Sequence, residues 1–99
     1  MAKISRRAEA DIEAAVRWWR ENREKAPFLL EDELERAIVL LDAQPGLGVE
    51  ALDVKTRAVS VRRFLLRRSQ RFLYYRVGED GVVEILRLWS ADRGKAPDL

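Results

Sequence analysis

The sequence contains no cysteine and no histidine among its 99 residues. Without cysteine, neither a disulfide framework nor a thiolate metal site is available. Without histidine, the chain lacks the usual general base near neutral pH and the commonest metal ligand. These absences exclude Ser-His and Cys-His nucleophile systems, and we expect no metal and no cofactor.

Long apolar runs are also absent, as are a signal-peptide segment, a P-loop and a dinucleotide fingerprint. Ninety-nine residues are enough for one domain, residues 1–99, with a core of two layers. Apolar residues make up 47% of the chain and charged residues 36%, which is typical of a soluble globular protein. We therefore expect a cytoplasmic protein that does not associate with a membrane.

The formal net charge of +2 conceals an uneven distribution along the chain. Residues 1–53 hold 8 Lys and Arg against 12 Asp and Glu, a net of −4, and residues 54–99 hold 11 against 5, a net of +6. A basic second half favours attraction to nucleic acid or to an acidic protein surface.

Two amphipathic helices are predicted in the first half. Ser5 is a good N-cap for a helix over residues 5–22, and Pro27 is well placed in the first turn of a second helix that Gln44-Pro45-Gly46 ends. Both helices carry an apolar stripe with the spacing i, i+4, i+7, i+8, i+11. The stripes are Ala8, Ile12, Ala15, Val16, Trp19 and Leu30, Leu34, Ala37, Ile38, Leu41. Matched stripes joined by about four residues predict an antiparallel helical hairpin.

Further apolar residues lie outside these stripes. Phe28 and Val39 fall nearly opposite the stripe of the second helix, Leu40 falls well away from its centre, and Trp18 lies at the edge of the first stripe. A second apolar surface on a helix favours a partner chain that covers it. The alternatives are scattered exposed apolar residues, or packing of Trp18 over the sheet edge.

Residues 59–90 predict a three-stranded meander, with breaks at Arg68-Ser69-Gln70 and Gly78-Glu79-Asp80-Gly81. The glycines of the second break supply φ > 0 for a hairpin, and Lys3-Ile4 is predicted as a short edge strand. Alternation places Leu73 and Tyr75 toward the core, and Phe72 and Tyr74 on an open face with arginines, where they are able to stack bases. The segment before the meander, from Leu47 to Arg57, is predicted to be a connecting loop, and the tail is predicted to fray beyond about Arg93.

The order of these segments resembles the RelE/ParE superfamily of type II toxins. Two helices are followed by a Pro-Gly break, Val-Arg-Arg, Phe-Leu-Tyr-Tyr-Arg-Val and Val-Glu-Ile-Leu-Arg-Leu-Trp, and the resemblance covers nearly the whole chain. It implies an α+β fold in which the helical hairpin packs on a curved antiparallel sheet of three main strands plus the N-terminal edge strand. It also implies a cognate antitoxin, which Trp18, Phe28, Val39 and Leu40 are predicted to contact in a hetero-oligomer.

The resemblance leaves two main activities open. RelE-like members cut mRNA in the ribosomal A site, and ParE-like members, which are associated with plasmid stabilization, inhibit DNA gyrase and trap its cleaved DNA. Ser90 stands where many relatives of the ribonuclease branch carry histidine, which favours the ParE-like branch, with no catalytic residue identified. A third alternative is a non-toxic family member that only binds antitoxin.

By position within the resemblance, five residues are predicted to contact the target. They are Arg62, Arg63, Arg87, Ser90 and Arg93. The alternative interpretation of the arginines is solubility and protection of the sheet edge.

Overall fold

Two helices pack against one face of a five-stranded sheet in the computed structural model, which describes residues 1–52 and 60–99. The helices are α1 (Arg6–Asn22) and α2 (Leu29–Ala43), followed by a 3-10 turn (Pro45–Leu47). The strands are β1 (Lys3–Ile4), β2 (Val49–Glu50), β3 (Val61–Leu66), β4 (Arg71–Val77) and β5 (Val83–Ser90). The predicted α+β architecture is confirmed. Val59, Lys55 and Arg57 fall outside the described residues.

The sheet differs from the predicted one in strand number and direction. Its order is β1-β5-β4-β3-β2, and β1 runs parallel to β5 while the other neighbours are antiparallel. The predicted edge strand at Lys3-Ile4 is therefore present in a mixed sheet. β2 lies where a loop was predicted, because two residues are too few to show the alternation by which a strand is identified. β2 pairs with β3, where Val49 lies opposite Arg63, and the two residues are remote in sequence.

The predicted helices are confirmed to within about two residues. Ser5 caps α1, since its hydroxyl accepts a hydrogen bond from the Ala8 amide at 3.1 Å and donates to the Leu86 carbonyl at 3.1 Å. The same side chain therefore begins the helix and fixes it to β5. Between the helices, Trp19 Nε1 donates to the Ala26 carbonyl at 2.8 Å, which holds the turn of the hairpin.

Both predicted apolar stripes face the core. The fully or nearly buried members of this core include Ala8, Trp19, Leu30, Leu34, Leu41, Leu73, Tyr75 and Ile85. Burial of each large apolar side chain contributes about 1.5–3 kcal/mol, and this term fixes the helices on the sheet. No helix of the described part of the chain is long and apolar enough to cross a membrane.

The opposite face of the sheet was predicted to be open, but it is partly covered. Tyr74 is buried there with Ala51 and Val61, and Leu99 of the tail packs against them. The prediction that Tyr74 stacks bases is therefore wrong. The tail does not fray beyond Arg93 as predicted, because Pro97 is buried against the rest of the chain.

The two turns of the meander use different residues in the left-handed region. Gly81 has φ 79°, as predicted for the second turn, but Gly78 does not have a positive φ. In the first turn, which lacks glycine, Gln70 takes φ 56° and its side chain donates to the Arg67 carbonyl. The Glu33 carboxylate of α2 accepts both the Arg68 and Ser69 amides, at 2.8 and 2.9 Å, and so fastens this turn to the helix.

Candidate functional site

Arginines and aromatic rings lie together on the sheet face that the helices leave uncovered. Phe72 on β4 is paired with Trp89 on β5, and these side chains share that face. The Arg63 guanidinium lies 4.6 Å from the centroid of the Phe72 ring, and Arg93 lies 4.0 Å from that of Trp89. We call Arg63, Phe72, Trp89 and Arg93 the arginine–aromatic face. It borders a cavity of about 200 Å³.

The tail holds this face in place. Trp89 Nε1 donates to the Lys95 carbonyl at 2.9 Å, so the chain folds back after β5 and places Arg93 over the indole ring. Cation–π contacts of this kind leave the guanidinium N–H groups directed outward, and Arg93 is exposed. The face can therefore offer positive charge and aromatic surface to an anionic, base-containing ligand.

Arg87 lies beside this face but is held by the protein itself. Its Nε and Nη2 donate to the Asp11 carboxylate at 2.7 and 3.1 Å, and Nη1 donates to the Asp98 carbonyl at 3.1 Å. The Arg87 side chain is 13% exposed. Asp11 on α1 also accepts the Leu88 amide at 3.1 Å, so this ion pair joins the first helix to the last strand.

The structure does not bring Arg62 to the arginine–aromatic face. Its Nη1 donates to the Gly48 carbonyl at 2.7 Å, next to the 3-10 turn. In contrast, Ser90 is half-buried at the end of β5 and borders both the cavity at this face and a second cleft beside Trp18. Of the five predicted target contacts, Arg63, Arg87, Ser90 and Arg93 therefore lie together and Arg62 lies apart.

The side chains that line the cavity are suited to binding more than to proton transfer. No carboxylate or imidazole is among the described residues that line it, and Tyr74 at its base is buried. The other tyrosine, Tyr75, has a pKa raised above its ordinary value by burial, and its hydroxyl is engaged by the Gly48 amide and the Pro45 carbonyl. Over residues 1–52 and 60–99 there is no cluster of acidic side chains that could hold a metal ion.

The predicted antitoxin contacts are all solvent-exposed, but they do not form one surface. Trp18, Phe28, Val39 and Leu40 are 42%, 56%, 66% and 39% exposed. Leu40 borders a groove of about 580 Å³ between α2 and β3, which Leu47 and Val49 also line. Phe28 precedes α2 at the end remote from Leu40, where Arg20 lies 5.2 Å from its ring. Trp18 lies on α1 beside Arg71 of β4.

The chain matches a known family over nearly all of its length. The family is described as ParE toxin of type II toxin-antitoxin system, parDE, and its match spans residues 2–94. No curated protein gives a significant match. The matched region includes both helices and all five strands. The protein therefore belongs to the ParE family of toxins from type II toxin–antitoxin systems, and this membership implies an antitoxin as partner.

Proposed function

We propose that this protein inhibits DNA gyrase in the cytoplasm by binding, without catalytic chemistry of its own, and that a cognate antitoxin neutralises it. The observation that carries the proposal is the composition of the arginine–aromatic face. Arginines and aromatic rings border a cavity to which the described residues contribute no carboxylate or imidazole, and Ser90 occupies the end of the last strand. Such a surface contacts phosphates and bases but offers no group that exchanges a proton readily near neutral pH.

The gyrase proposal is tested with purified protein, gyrase, relaxed plasmid and ATP. We expect loss of supercoiling, and linear DNA after protease treatment. The double variant R63A/R93A should need at least roughly tenfold more protein for the same inhibition, because two charge-assisted contacts are worth about 1.5–3 kcal/mol each. Arg87 is left in place because its ion pair with Asp11 also supports the fold.

The matched control is Arg17→Ala, which removes an equally positive, exposed side chain from α1. It should inhibit gyrase as the unchanged protein does. Equal inhibition by R63A/R93A and the unchanged protein would contradict the assignment of this face. If no inhibition occurs at excess protein while programmed ribosomes cut their mRNA in its presence, the protein is instead a RelE-like endonuclease. Inactivity in both assays would favour a non-toxic antitoxin-binding protein.

The groove between α2 and β3 is the proposed seat of the antitoxin. Leu40, Leu47 and Val49 give it an apolar lining, and each of them is exposed in the isolated chain. Among the described residues that line it, Arg36, Arg63 and Arg67 are basic and Glu33 is acidic, so this part of the rim is basic. An acidic segment with an apolar stripe fits both properties. Val39, the residue before Leu40 in α2, is 66% exposed, and the proposed interface includes it.

Val39→Glu should weaken antitoxin binding by roughly tenfold or more, because it places a charge against an apolar contact and repels an acidic partner. The isolated fold should be unchanged, since Val39 is exposed and glutamate is the better helix former. Binding is measured by calorimetry, and thermal denaturation checks the fold. Ala14→Glu adds the same charge to an exposed position of α1 and should bind normally. Unchanged affinity of the Val39 variant would remove this surface from the interface.

A further inference from the structure

A second cleft lies between the end of α1 and the β3–β4 turn, apart from the arginine–aromatic face. It has a volume of about 440 Å³, and we call it the tryptophan cleft. Its principal residues are Trp18, Trp19, Arg23, Arg68, Ser69 and Arg71. The Arg23 guanidinium lies 4.9 Å from the Trp18 ring and 5.6 Å from the Trp19 ring, and Arg71 lies 5.5 Å from both. Two positive charges are thus held close together on one pair of indoles.

Among residues 1–52 and 60–99, these charges have no ion-pair partner within 4.0 Å. Elsewhere Arg20, Arg76 and Arg87 each meet a carboxylate at 2.7 Å. Within the described residues, no ion pair joins Arg23, Arg68 or Arg71 to a carboxylate. The part of the cleft formed by described residues contains Asp92 as its acidic residue against three arginines. It therefore has an excess of positive charge in a partly desolvated place.

The side chain of Ser69 adds an independent observation. Ser69 is 4% exposed, and its hydroxyl is the one buried side-chain polar atom in the described part of the chain without a hydrogen-bond partner. A buried hydroxyl left unpaired costs about 1–3 kcal/mol, so its retention at this position needs a reason. Because Ser69 lines the cleft, a ligand there would supply the missing acceptor.

The electrostatics of Arg71 agree with this arrangement. Burial and, second, the charge of Arg23 lower the pKa of Arg71 below its ordinary value. An anion placed between the two guanidiniums would offset the repulsion from Arg23, in the same direction in which Asp92 already raises the pKa of Arg71.

We propose that the tryptophan cleft binds a phosphate group. A phosphate has oxygens enough to accept from two guanidiniums and from the Ser69 hydroxyl at the same time, and its charge offsets the excess of arginine. Ser90 borders both this cleft and the cavity at the arginine–aromatic face. The phosphate of a nucleic acid strand that crosses Ser90 is therefore one source, and free phosphate is the other.

The test uses the indole signals of the full chain in ¹H,¹⁵N spectra, where Trp89 reports separately on the arginine–aromatic face and Trp18 and Trp19 report on the cleft. Inorganic phosphate should shift the Trp18 and Trp19 signals saturably, and sodium chloride at equal ionic strength should not. Arg23→Gln and Ser69→Ala should each weaken phosphate binding by roughly tenfold. Ser69→Ala should also keep or raise the melting temperature, because it removes an unpaired hydroxyl. If the hydroxyl had a purely structural role, Ser69→Ala would instead lower the melting temperature.

The matched control is Arg20→Gln on the same helix, where the arginine already pairs with Glu31. It should bind phosphate normally. An oligothymidylate that displaces phosphate, with a salt dependence that falls by about one unit of slope in Arg23→Gln, identifies a strand as the source. An oligothymidylate that leaves phosphate bound identifies free phosphate.

Two results would overturn the proposal. The first is wild-type phosphate binding by both Arg23→Gln and Ser69→Ala. The second is that phosphate does not shift the Trp18 and Trp19 signals and only an acidic antitoxin shifts them. The cleft would then be a contact surface for a protein. No gyrase is present in this test, so its failure would leave the gyrase proposal standing, and failure of gyrase inhibition would leave a measured phosphate site intact.

Discussion

Tyr75→Phe is expected to lower the free energy of unfolding by about 2–4 kcal/mol, although it removes a single oxygen atom. The Tyr75 hydroxyl is buried, accepts from the Gly48 amide at 2.8 Å and donates to the Pro45 carbonyl at 2.7 Å. These two hydrogen bonds join β4 to the turn that follows α2. Phenylalanine would leave a buried amide and a carbonyl without partners, and each such loss costs about 1–3 kcal/mol.

The Gly48 backbone packs closely against this hydroxyl. A Cβ at Gly48 would lie 2.6 Å from the Tyr75 oxygen and 2.8 Å from the Arg63 carbonyl, so glycine is required for the close approach. Tyr74→Phe is the matched control, because Tyr74 is also buried and its hydroxyl makes no hydrogen bond within the described part. Chemical denaturation should give the control a loss below about 1 kcal/mol. Similar losses in the two variants would contradict a specific role for the Tyr75 hydroxyl.

The same hydroxyl should make stability depend on alkaline pH. Burial raises the pKa of Tyr75 above the ordinary value of 10.0. The folded state then holds its proton at a pH where the unfolded state has lost it, so the contribution is complete below pH 10 and is lost as the pH rises through the folded pKa. The difference in unfolding free energy between the unchanged protein and Tyr75→Phe should therefore shrink above about pH 10. A difference that stays constant to pH 11 would contradict this link.

The helices could be predicted from sequence because their signals are local. Ser5 as an N-cap and the repeated apolar spacing depend on residues within a few turns. β2 could not be predicted, since two residues become a strand only by pairing with residues far along the chain. The prediction that Tyr74 is exposed was wrong for a similar reason. Alternation assigns a side chain to one face of the sheet, but it does not tell whether the C-terminal tail covers that face.

The candidate site also combines residues that the sequence could identify with contacts that depend on the tertiary fold. Arg63, Ser90 and Arg93, which position along the family pattern identified, border one cavity, because β3 and β5 flank β4 and the chain turns back after β5. Arg87 stays a predicted target contact, and its pairing with Asp11, which joins residues 76 positions apart, is not visible in any local sequence pattern. The tryptophan cleft was missed for this reason too. The adjacent tryptophans were a visible signal, but the approach of Arg71 to them depends on the tertiary fold.

Asp11→Ala is expected to destabilise the protein by about 2–4 kcal/mol, because it leaves the Arg87 guanidinium, 13% exposed, without its carboxylate and the Leu88 amide without its acceptor. Thermal and urea denaturation measure the loss. Glu84→Ala is the matched control, since it breaks an ion pair with Arg76 of the same 2.7 Å length but at 40% and 30% exposure, where a pair is worth about 0–1 kcal/mol.

A second substitution distinguishes the two causes of the stability loss in Asp11→Ala, which are the unpaired Arg87 charge and the unpaired Leu88 amide. If the cost comes from a charge left unpaired, the double variant D11L/R87M should recover most of it, because apolar side chains of similar size replace buried pairs at little cost. Since Arg87 also donates to the Asp98 carbonyl, the double variant should still loosen the tail, seen as faster hydrogen exchange of the Trp89 indole. A double variant as unstable as Asp11→Ala would mean that the Leu88 amide, and not the arginine, determines the stability of this junction between helix and strand.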